Sequence, residues 1–274
     1  MAMRLLVLVL TFFLAINPAF AGETAWQEIA PGVNLRLIST GVIRSDGTTL
    51  AALELDMPRD TKTYWRVPGQ TGLPTELDSR GSEGIETIAI RWPYPVRDVQ
   101  QDYLDYVYFG HVVLPIAVKV RGDRPKLHLT TLLGVCSDIC IPAKASFTLP
   151  LRDAKPDRPN GLRIRQALAD VPITWPDEAL PLADLRWSAD GMGLLVRVNG
   201  SEVDPASLIA STTSGEPLFG APQKSPQDNL VLLPILGKTD NSALDDMEVQ
   251  LTFMTQRGPF ELTGAVGAAP REDE

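Results

Sequence analysis

Residues 126–151 read Lys126-Leu-His-Leu-Thr-Thr-Leu-Leu-Gly-Val-Cys-Ser-Asp-Ile-Cys-Ile-Pro-Ala-Lys-Ala-Ser-Phe-Thr-Leu-Pro-Leu151. Polar and apolar residues alternate at the start of this stretch, which predicts a half-buried strand over residues 126–135. A second strand is predicted over residues 146–151. Between the two strands lie Cys136 and Cys140, the only cysteines of the chain. The stretch therefore combines a β pattern with one closely spaced cysteine pair.

The same β pattern recurs before this stretch, as short runs of β-prone residues separated by Gly, Pro and Asp. The sequence predicts strands at residues 33–39, 50–56, 61–67, 86–92, 112–120, 126–135 and 146–151. About seven short strands at fairly regular spacing, with no long helical pattern among them, predict a β-sandwich of the immunoglobulin-like type.

A charged, proline-containing run at residues 152–160 is typical of a boundary between domains. A short helix is predicted beyond it, over residues 162–169, with Leu162, Gln166 and Ala169 on one face. Further strands are then predicted at residues 185–188, 194–198, 229–236 and 247–255. The predicted fold is mainly β, with two immunoglobulin-like β-sandwich domains in tandem at residues 22–153 and 154–274, the second being smaller and having the helix near its start.

The first 21 residues have the pattern of a secretory signal peptide. Arg4 precedes an apolar run at residues 5–16, and Ala19-Phe-Ala21 has the small-x-small form of a cleavage site, so cleavage is predicted between Ala21 and Gly22. The apolar run is shorter than the roughly 20 residues that span a bilayer. The mature chain is therefore predicted to be exported, without a transmembrane segment, into an oxidising space where disulfides persist.

The charge of the chain argues against two classes of partner. The formal net charge is −9 at neutral pH, and no run is rich in Lys or Arg. Nucleic acids and anionic membrane surfaces are therefore poor candidates, since both attract basic patches. An acidic balance of this size is typical of a well-solvated protein.

The cysteine pair allows two interpretations. Because Pro142 follows Cys140 so closely, no helix is expected to start across the pair. Without a helix N-terminus, and with Asp138 between the thiols, neither sulfur has an evident source of strong activation. The pair is either a structural bridge or a redox couple that reacts when a more reactive partner attacks it. A five-residue ring stabilises a fold by only about 2 kcal/mol, which favours the redox role.

Other kinds of site find less support. The two histidines, His111 and His128, are scattered, and the sequence has neither paired C-x-x-C motifs nor a methionine cluster, so no metal site and no cofactor are expected. Hydrolytic motifs such as G-x-S-x-G are missing as well. An aromatic cluster near Asp102 and Asp105 consists of Tyr103, Tyr106, Tyr108 and Phe109. It is either a strand edge that packs on the core or a loop that covers the disulfide.

Four blocks of the sequence resemble the N-terminal periplasmic domain of the DsbD family of thiol:disulfide interchange proteins, and in particular its ScsB-like branch, the suppressors of copper sensitivity. The blocks are Leu133-Gly-Val-Cys-Ser-Asp-Ile-Cys-Ile-Pro-Ala143 with Phe147-Thr-Leu-Pro-Leu151, Lys62-Thr-Tyr-Trp-Arg-Val-Pro-Gly69 with Gly72-Leu-Pro74, Ile90-Arg-Trp-Pro93, and Tyr108-Phe-Gly-His-Val-Val-Leu-Pro115. They occur in the family's order between about residues 48 and 151.

This resemblance implies an immunoglobulin-like domain whose cysteines alternate between dithiol and disulfide. It implies that Cys140 forms mixed disulfides with partners and that Cys136 resolves them. Tyr64 and Trp65 are expected near the couple. A loop before Tyr108 is expected to act as a cap over the couple, with Tyr103 as its aromatic residue.

In the family, the electrons come from a membrane-embedded thiol donor and go to periplasmic thioredoxin-fold proteins. Two departures from DsbD itself stand out: the gap between the cysteines is shorter here, as in the ScsB-like branch, and the membrane domain is not in this chain. A separate membrane protein is therefore the expected electron donor. Copper tolerance and cytochrome c biogenesis are settings that only the resemblance suggests.

Two alternative functions remain open from the sequence. One is a non-catalytic, immunoglobulin-like binding or assembly module with a structural disulfide. The other is a copper-binding tolerance protein. The partner, the direction of electron flow and the role of the second domain are likewise left open.

Overall fold

A computed structural model describes residues 22–100, 103–153, 155–225, 227–237 and 247–267. Within these residues the chain forms twenty strands, one α-helix and one short 3-10 helix. The predicted signal peptide, residues 1–21, lies outside the described residues. The prediction of a mainly β protein is confirmed.

The first part of the chain builds two antiparallel sheets from eleven strands among the described residues. The strands are β1 (Gln27–Ala30), β2 (Val33–Ser39), β3 (Thr48–Asp56), β4 (Lys62–Gly69), β5 (Glu76–Asp78), β6 (Ile85–Ile90), β7 (Val96–Val99), β8 (Leu104–Phe109), β9 (Val112–Val120), β10 (Lys126–Cys136) and β11 (Cys140–Pro150). Sheet I has the order β1-β2-β3-β9-β6. Sheet II has the order β11-β10-β4-β8-β7, and β5 pairs with β10.

The two sheets face each other across one apolar core. Leu37, Leu53 and Ile116 from sheet I share this core with Trp65 and Leu129 from sheet II. In β11 the buried residues occur at every second position from Ala143 on, because successive side chains point to opposite faces of a sheet, whereas β2, β3, β4 and β8 are buried over consecutive positions. This arrangement is the predicted immunoglobulin-like sandwich.

The later part of the chain repeats the architecture on a smaller scale. Its strands are β12 (Ile173–Thr174), β13 (Leu182–Trp187), β14 (Gly193–Val198), β15 (Ile209–Ser211), β16 (Leu218–Phe219), β17 (Gln223–Lys224), β18 (Leu230–Leu236), β19 (Glu248–Thr255) and β20 (Gly258–Ala265). They form one sheet of order β12-β20-β19-β15 and another of order β13-β14-β18-β16, with β17 also paired to β18. A separate apolar core that includes Trp175, Trp187 and Phe253 lies between them.

Helix α1 (Arg158–Ala169) joins the two parts and begins earlier than predicted. Asp157 caps it by accepting a hydrogen bond from the backbone N–H of Asn160. The predicted apolar face is wrong: Leu162 is 61% exposed, whereas Ile164 is fully buried. Ile164 packs on the outer face of sheet I, and this contact orients the helix.

Direct contacts hold the two parts against each other. Arg97 of β7 donates hydrogen bonds to the carbonyl oxygens of Ala206 and Leu208, at 2.8 and 2.6 Å. The Tyr94 hydroxyl donates to the carbonyl oxygen of Ser207. The edge of sheet II is thus attached to the later part of the chain.

Candidate functional site

Cys136 and Cys140 lie directly opposite each other at the end of the β10–β11 hairpin. They are the last cross-strand pair of a ladder that begins at Lys126 and Pro150, and a disulfide joins them with a Cα–Cα distance of 4.1 Å. Three residues, 137–139, form the loop between the two strands. The hairpin explains how so short a spacing accommodates a disulfide, because the cysteines face each other across two neighbouring strands.

The two cysteines differ in accessibility. Cys136 is 1% exposed, whereas Cys140 is exposed. The hairpin loop also presents apolar surface beside Cys140, since Ile139 is 74% and Ile141 is 37% exposed. Asp138 lies at the tip of the same loop and is exposed. A thiol from another protein would therefore reach Cys140 first.

Tyr64 of β4 connects the disulfide to the centre of sheet II. Its hydroxyl donates a hydrogen bond to Sγ of Cys136 at 2.7 Å and lies 3.4 Å from Sγ of Cys140. Tyr64 is 1% exposed and forms a small apolar cluster with Val107 and Cys136. Tyr64 therefore contacts both sulfurs of the pair.

Two glycines make room for the Tyr64 ring. A Cβ added at Gly72 would lie 2.2 Å from Cδ1 of Tyr64, and one added at Gly134 would lie 2.9 Å from Cδ2. Both distances are shorter than real Cβ contacts, so any larger residue at either position would displace the ring. The ring is therefore held between Gly72, in the loop after β4, and Gly134, in β10.

Lys62 forms a buried ionic network beside the disulfide. It is the cross-strand neighbour of Cys136, is 7% exposed, and donates hydrogen bonds to Asp98 at 2.7 Å and to Asp105 at 3.2 Å. Asp105 is fully buried and also accepts hydrogen bonds from the hydroxyl and backbone N–H of Thr71, at 2.6 and 3.0 Å. The network thus fixes the loop that carries Gly72 to strands β4 and β8.

The protonation states in this network follow from burial and from its ion pairs. Burial of Lys62 opposes its charged form, but hydrogen bonds to Asp98 and Asp105 outweigh burial and raise the pKa of Lys62 above its usual value. Burial likewise acts against the charged form of Asp98, yet the hydrogen bond from Lys62 lowers the pKa of that carboxyl. Burial raises the pKa of Tyr64, so its hydroxyl remains a donor at neutral pH.

The other predicted supporting residues divide between the two faces of sheet II. Tyr103 lies on the site's side, with its ring centroid 4.9 Å from Nζ of Lys62. Trp65 and Tyr108 point into the core instead, with 0% and 6% exposure, so both lie on the face of sheet II opposite the disulfide. Because Trp65 follows Tyr64 on a strand, it must face the opposite side.

The aromatic cluster is mainly core. Tyr106 and Tyr108 belong to β8, an interior strand of sheet II, and pack in the core. The Tyr108 hydroxyl donates to the carbonyl oxygen of Pro93 at 2.6 Å. The predicted cap corresponds to the connection between β7 and β8, of which Tyr103 is described; Asp102 lies outside the described residues.

The residues around Tyr64 that complete the site could not be recognised from motifs in the sequence. Lys62, Asp98, Thr71 and Asp105 are typical surface residue types, and only their hydrogen bonds, together with the burial of Lys62 and Asp105, show that they belong to the site. The one available signal was strand periodicity, because Lys62 and Tyr64 are two residues apart on β4 and must share a face.

The histidines are engaged elsewhere. His111 contacts Glu54 at 3.0 Å, and His128 contacts the hydroxyl of Thr148 at 2.9 Å. In the described ranges, no group of three or more His, Cys, Asp or Glu side chains is arranged to hold a metal ion.

Fold and site together define a class of protein: an immunoglobulin-like β-sandwich with one disulfide-forming cysteine pair on the outer face of a sheet. The family model described as "Thiol:disulfide interchange protein DsbD, N-terminal" matches residues 37–152, which contain both cysteines and Tyr64. The predicted resemblance is therefore confirmed for this part of the chain.

A solved structure extends the fold comparison. The crystal structure of the N-terminal periplasmic domain of ScsB from Proteus mirabilis matches with a TM-score of 0.72 and 20% identity, covering 90% of this chain and 99% of that chain. At this identity the match shows a shared fold, and it extends beyond residues 37–152. No curated protein gives a significant match to the sequence. None of the helices in the described residues is long and apolar enough to cross a membrane.

Proposed function

We propose that this protein is a periplasmic thiol:disulfide interchange protein, in which Cys136 and Cys140 pass electrons between a membrane-embedded thiol donor and periplasmic thioredoxin-fold proteins. The observation that carries the proposal is the asymmetry of the pair, because an exposed Cys140 is bonded to a buried Cys136 that accepts a hydrogen bond from Tyr64. The matches to the DsbD family model and to the ScsB domain support this function and the periplasmic location.

The exchange proceeds in two steps. A donor thiolate attacks Sγ of Cys140, a mixed disulfide forms, and the bonding electron pair of the Cys136–Cys140 bond moves to Cys136 as a thiolate. The Tyr64 hydroxyl, 2.7 Å from that sulfur, stabilises the developing negative charge. A second donor thiolate then attacks the donor sulfur of the mixed disulfide and releases Cys140. The donor leaves as a disulfide, and this chain keeps two electrons and two protons as a dithiol.

Delivery to a partner is the reverse sequence. Cys140 as a thiolate attacks the partner disulfide, and Cys136 resolves the mixed disulfide, so that the partner leaves as a dithiol. The direction depends on relative reduction potentials, for which about 30 mV corresponds to 1.4 kcal/mol in a two-electron couple.

Exposed apolar side chains lie on the same face of sheet II as the couple and suit a docking partner. Phe109 is paired with Lys62 on β4 and Val96 with Val107 on β8, so both lie on the outer face of sheet II, where they are 39% and 52% exposed. Ile139 is adjacent to Cys140 in the chain and adds exposed apolar surface at the hairpin loop. Clusters of this kind are characteristic of binding surfaces.

We also propose that the redox domain comprises residues 22–153 and the second domain residues 154–274. Two separate apolar cores support this division. Arg97 contacts the later part of the chain through its side chain, so the second domain supports the β7 edge of sheet II.

The decisive experiment is a reduction potential, measured on the chain from Gly22 onward by equilibration with glutathione buffers and trapping of free thiols. We expect a reversible two-electron transition between roughly −180 and −280 mV, the range of exchange proteins. A pair that stays oxidised below about −300 mV is a structural bridge. In that case the protein is a non-catalytic binding module.

A further inference from the structure

Cys136 leaves the disulfide as a thiolate, although its position disfavours a negative charge. The residue is 1% exposed and lies at the end of strand β10 rather than at the start of a helix, so it has little access to water and no helix dipole behind it. The Tyr64 hydroxyl donates one hydrogen bond to its sulfur but carries no charge. A buried thiolate of this kind leaves more readily where a positive charge lies beside it.

Lys62 is placed to supply that charge. It lies directly opposite Cys136 in the pairing of β4 with β10, where opposed side chains share a face and their Cβ atoms are about 4.5–5.5 Å apart. Nζ of Lys62 is 5.8 Å from the ring centroid of Tyr64, the residue that contacts the sulfur, and 4.9 Å from the ring centroid of Tyr103. The ammonium group is therefore beside the couple, on the same face of sheet II.

The carboxylates around Lys62 keep it charged but also oppose its effect on the sulfur. Burial disfavours the charged form of Lys62, but hydrogen bonds to Asp98 and Asp105 outweigh it and raise the pKa of Lys62, so the ammonium group persists at neutral pH. Burial raises the pKa of the Tyr64 phenol, whereas the charge of Lys62 acts to lower it, so the two groups are coupled. Asp98 is only half-buried and also accepts a hydrogen bond from Gln100, so its charge can be changed with less disturbance than that of Asp105.

We propose that Lys62 is a positioning residue of the exchange reaction, whose ammonium group lies against the Tyr64 ring and favours the negative charge that forms on Sγ of Cys136. The inference rests on the proposed function and deepens it. When a donor thiolate attacks Sγ of Cys140, the bond between the two cysteines breaks and its electron pair moves to Cys136. Lys62 supplies the opposite charge at that moment, while the Tyr64 hydroxyl supplies the hydrogen bond.

Charge changes of opposite sign test the proposal, with the rate of disulfide reduction by dithiothreitol at pH 7 as the measurement. Lys62→Gln removes the positive charge and should slow reduction about tenfold. Asp98→Asn removes a negative charge that offsets it, keeps an acceptor for Nζ of Lys62, and should accelerate reduction about threefold. Lys62→Arg keeps the charge and should react faster than Lys62→Gln.

A merely structural role of Lys62 predicts a different pattern. Lys62→Gln and Asp98→Asn weaken the same ion pair, so loosening of sheet II would change both rates in the same direction. Arg36→Gln is the matched control, because it breaks the buried ion pair with Glu54 in sheet I. This control should lower the unfolding temperature and leave the reduction rate unchanged.

The outcome for Asp98→Asn decides the proposal even if Lys62→Gln does not fold. Reduction of Asp98→Asn at or below the wild-type rate overturns the proposal. So does reduction of Lys62→Gln at the wild-type rate, or an equal rate for Lys62→Gln and Lys62→Arg. A wild-type reduction potential in the range of structural bridges would overturn the proposed function and leave the pattern of rates intact, so the two failures are distinguishable.

Discussion

Tyr64 and Trp65 are neighbours on β4 and are equally buried, at 1% and 0% exposure, yet they are buried for different reasons. Trp65 points inward and packs against Tyr106 in the core, with ring centroids 5.7 Å apart. Tyr64 points outward, where two glycines and the disulfide enclose it. The inner face of sheet II packs in the core and stabilises the fold, whereas the outer face carries the disulfide site.

The two faces also differ in charge. The outer face holds a buried lysine, Lys62, between two carboxylates, one of which, Asp105, is fully buried. Such buried ion pairs rarely stabilise a protein more than apolar residues of the same volume would. A network of this type beside a disulfide is therefore better explained by a requirement of the site than by a requirement of the fold.

The largest effect on a reaction rate is expected from replacing each cysteine separately. With Cys136→Ala, the exposed Cys140 should form mixed disulfides readily with a small aromatic disulfide such as dithionitrobenzoate. With Cys140→Ala, the buried Cys136 should react about a hundredfold more slowly, because access and desolvation both oppose it. The measurement is the rate of thiolate release by stopped-flow absorbance.

Denatured samples of both variants serve as the control, since both cysteines should then react at the same rate. Equal rates for the two folded variants would contradict the assignment of Cys140 as the attacking sulfur.

The inner face is tested by Trp65→Ala. Removing a fully buried indole from the core should lower the free energy of unfolding by about 4 kcal/mol. Urea denaturation monitored by circular dichroism measures this loss. A loss of less than about 1 kcal/mol would contradict the place of Trp65 in the core.

Lys62→Met tests the ionic network. It leaves the buried Asp105 without its cation, so the free energy of unfolding at pH 7 should fall by about 3 kcal/mol. Adding Asp105→Asn to this variant should recover part of the loss, because the unpaired charge is then gone.

The pH dependence of the same network has a defined sign. The lowered folded-state pKa of Asp98 means that its contribution is present above the unfolded value of about 3.9 and is lost as pH falls through the folded value. The difference in stability between wild type and Lys62→Met should therefore decrease as pH falls below the unfolded value and through the lower folded-state pKa of Asp98. A difference that remains constant from pH 7 to pH 3 would show that lost packing of the Lys62 stem, rather than lost charge, causes the effect.

Periodicity and turn residues predicted much of the fold but only part of the site. Strands β2 and β9 were predicted with the bounds that the structure shows, because turn glycines such as Gly32 and Gly110 lie beside both apolar runs. Strand β20 was missed, since Gly258 and Pro259 at its start suggest a turn. The helix face was also wrong, because both Leu162 and Ile164 are apolar and only packing on sheet I decides between them.

Local sequence patterns also predicted only part of the site. The cysteines and Tyr64 were identifiable from motif and resemblance, whereas the role of Lys62 depends on the pairing of β4 with β10 and on the loop that brings Thr71 to Asp105. Such long-range contacts are not encoded in local periodicity. The glycines beside Tyr64 are present in the sequence, but the sequence does not show that they are needed to leave space for the Tyr64 ring.

The smallest and most specific effect is expected from Tyr64→Phe, which removes one hydroxyl and keeps the ring between Gly72 and Gly134. Loss of the hydrogen bond to Cys136 should slow reduction of the disulfide by dithiothreitol about tenfold, because the leaving thiolate loses its donor. The raised pKa of Tyr64 keeps the phenol protonated, so the effect should persist from pH 7 to pH 9.

Tyr108→Phe is the matched control, since it removes a buried hydroxyl that donates to Pro93 on the inner face. This control should lose about 1 kcal/mol of stability and leave the reduction rate unchanged. If both variants slow reduction equally, the rate reports general loosening of sheet II. If neither does, the hydrogen bond to Cys136 has no part in the exchange. Only a decrease in the reduction rate that is confined to Tyr64→Phe shows that a side chain on the outer face of β4 influences the sulfur, whereas the inner face stabilises the fold.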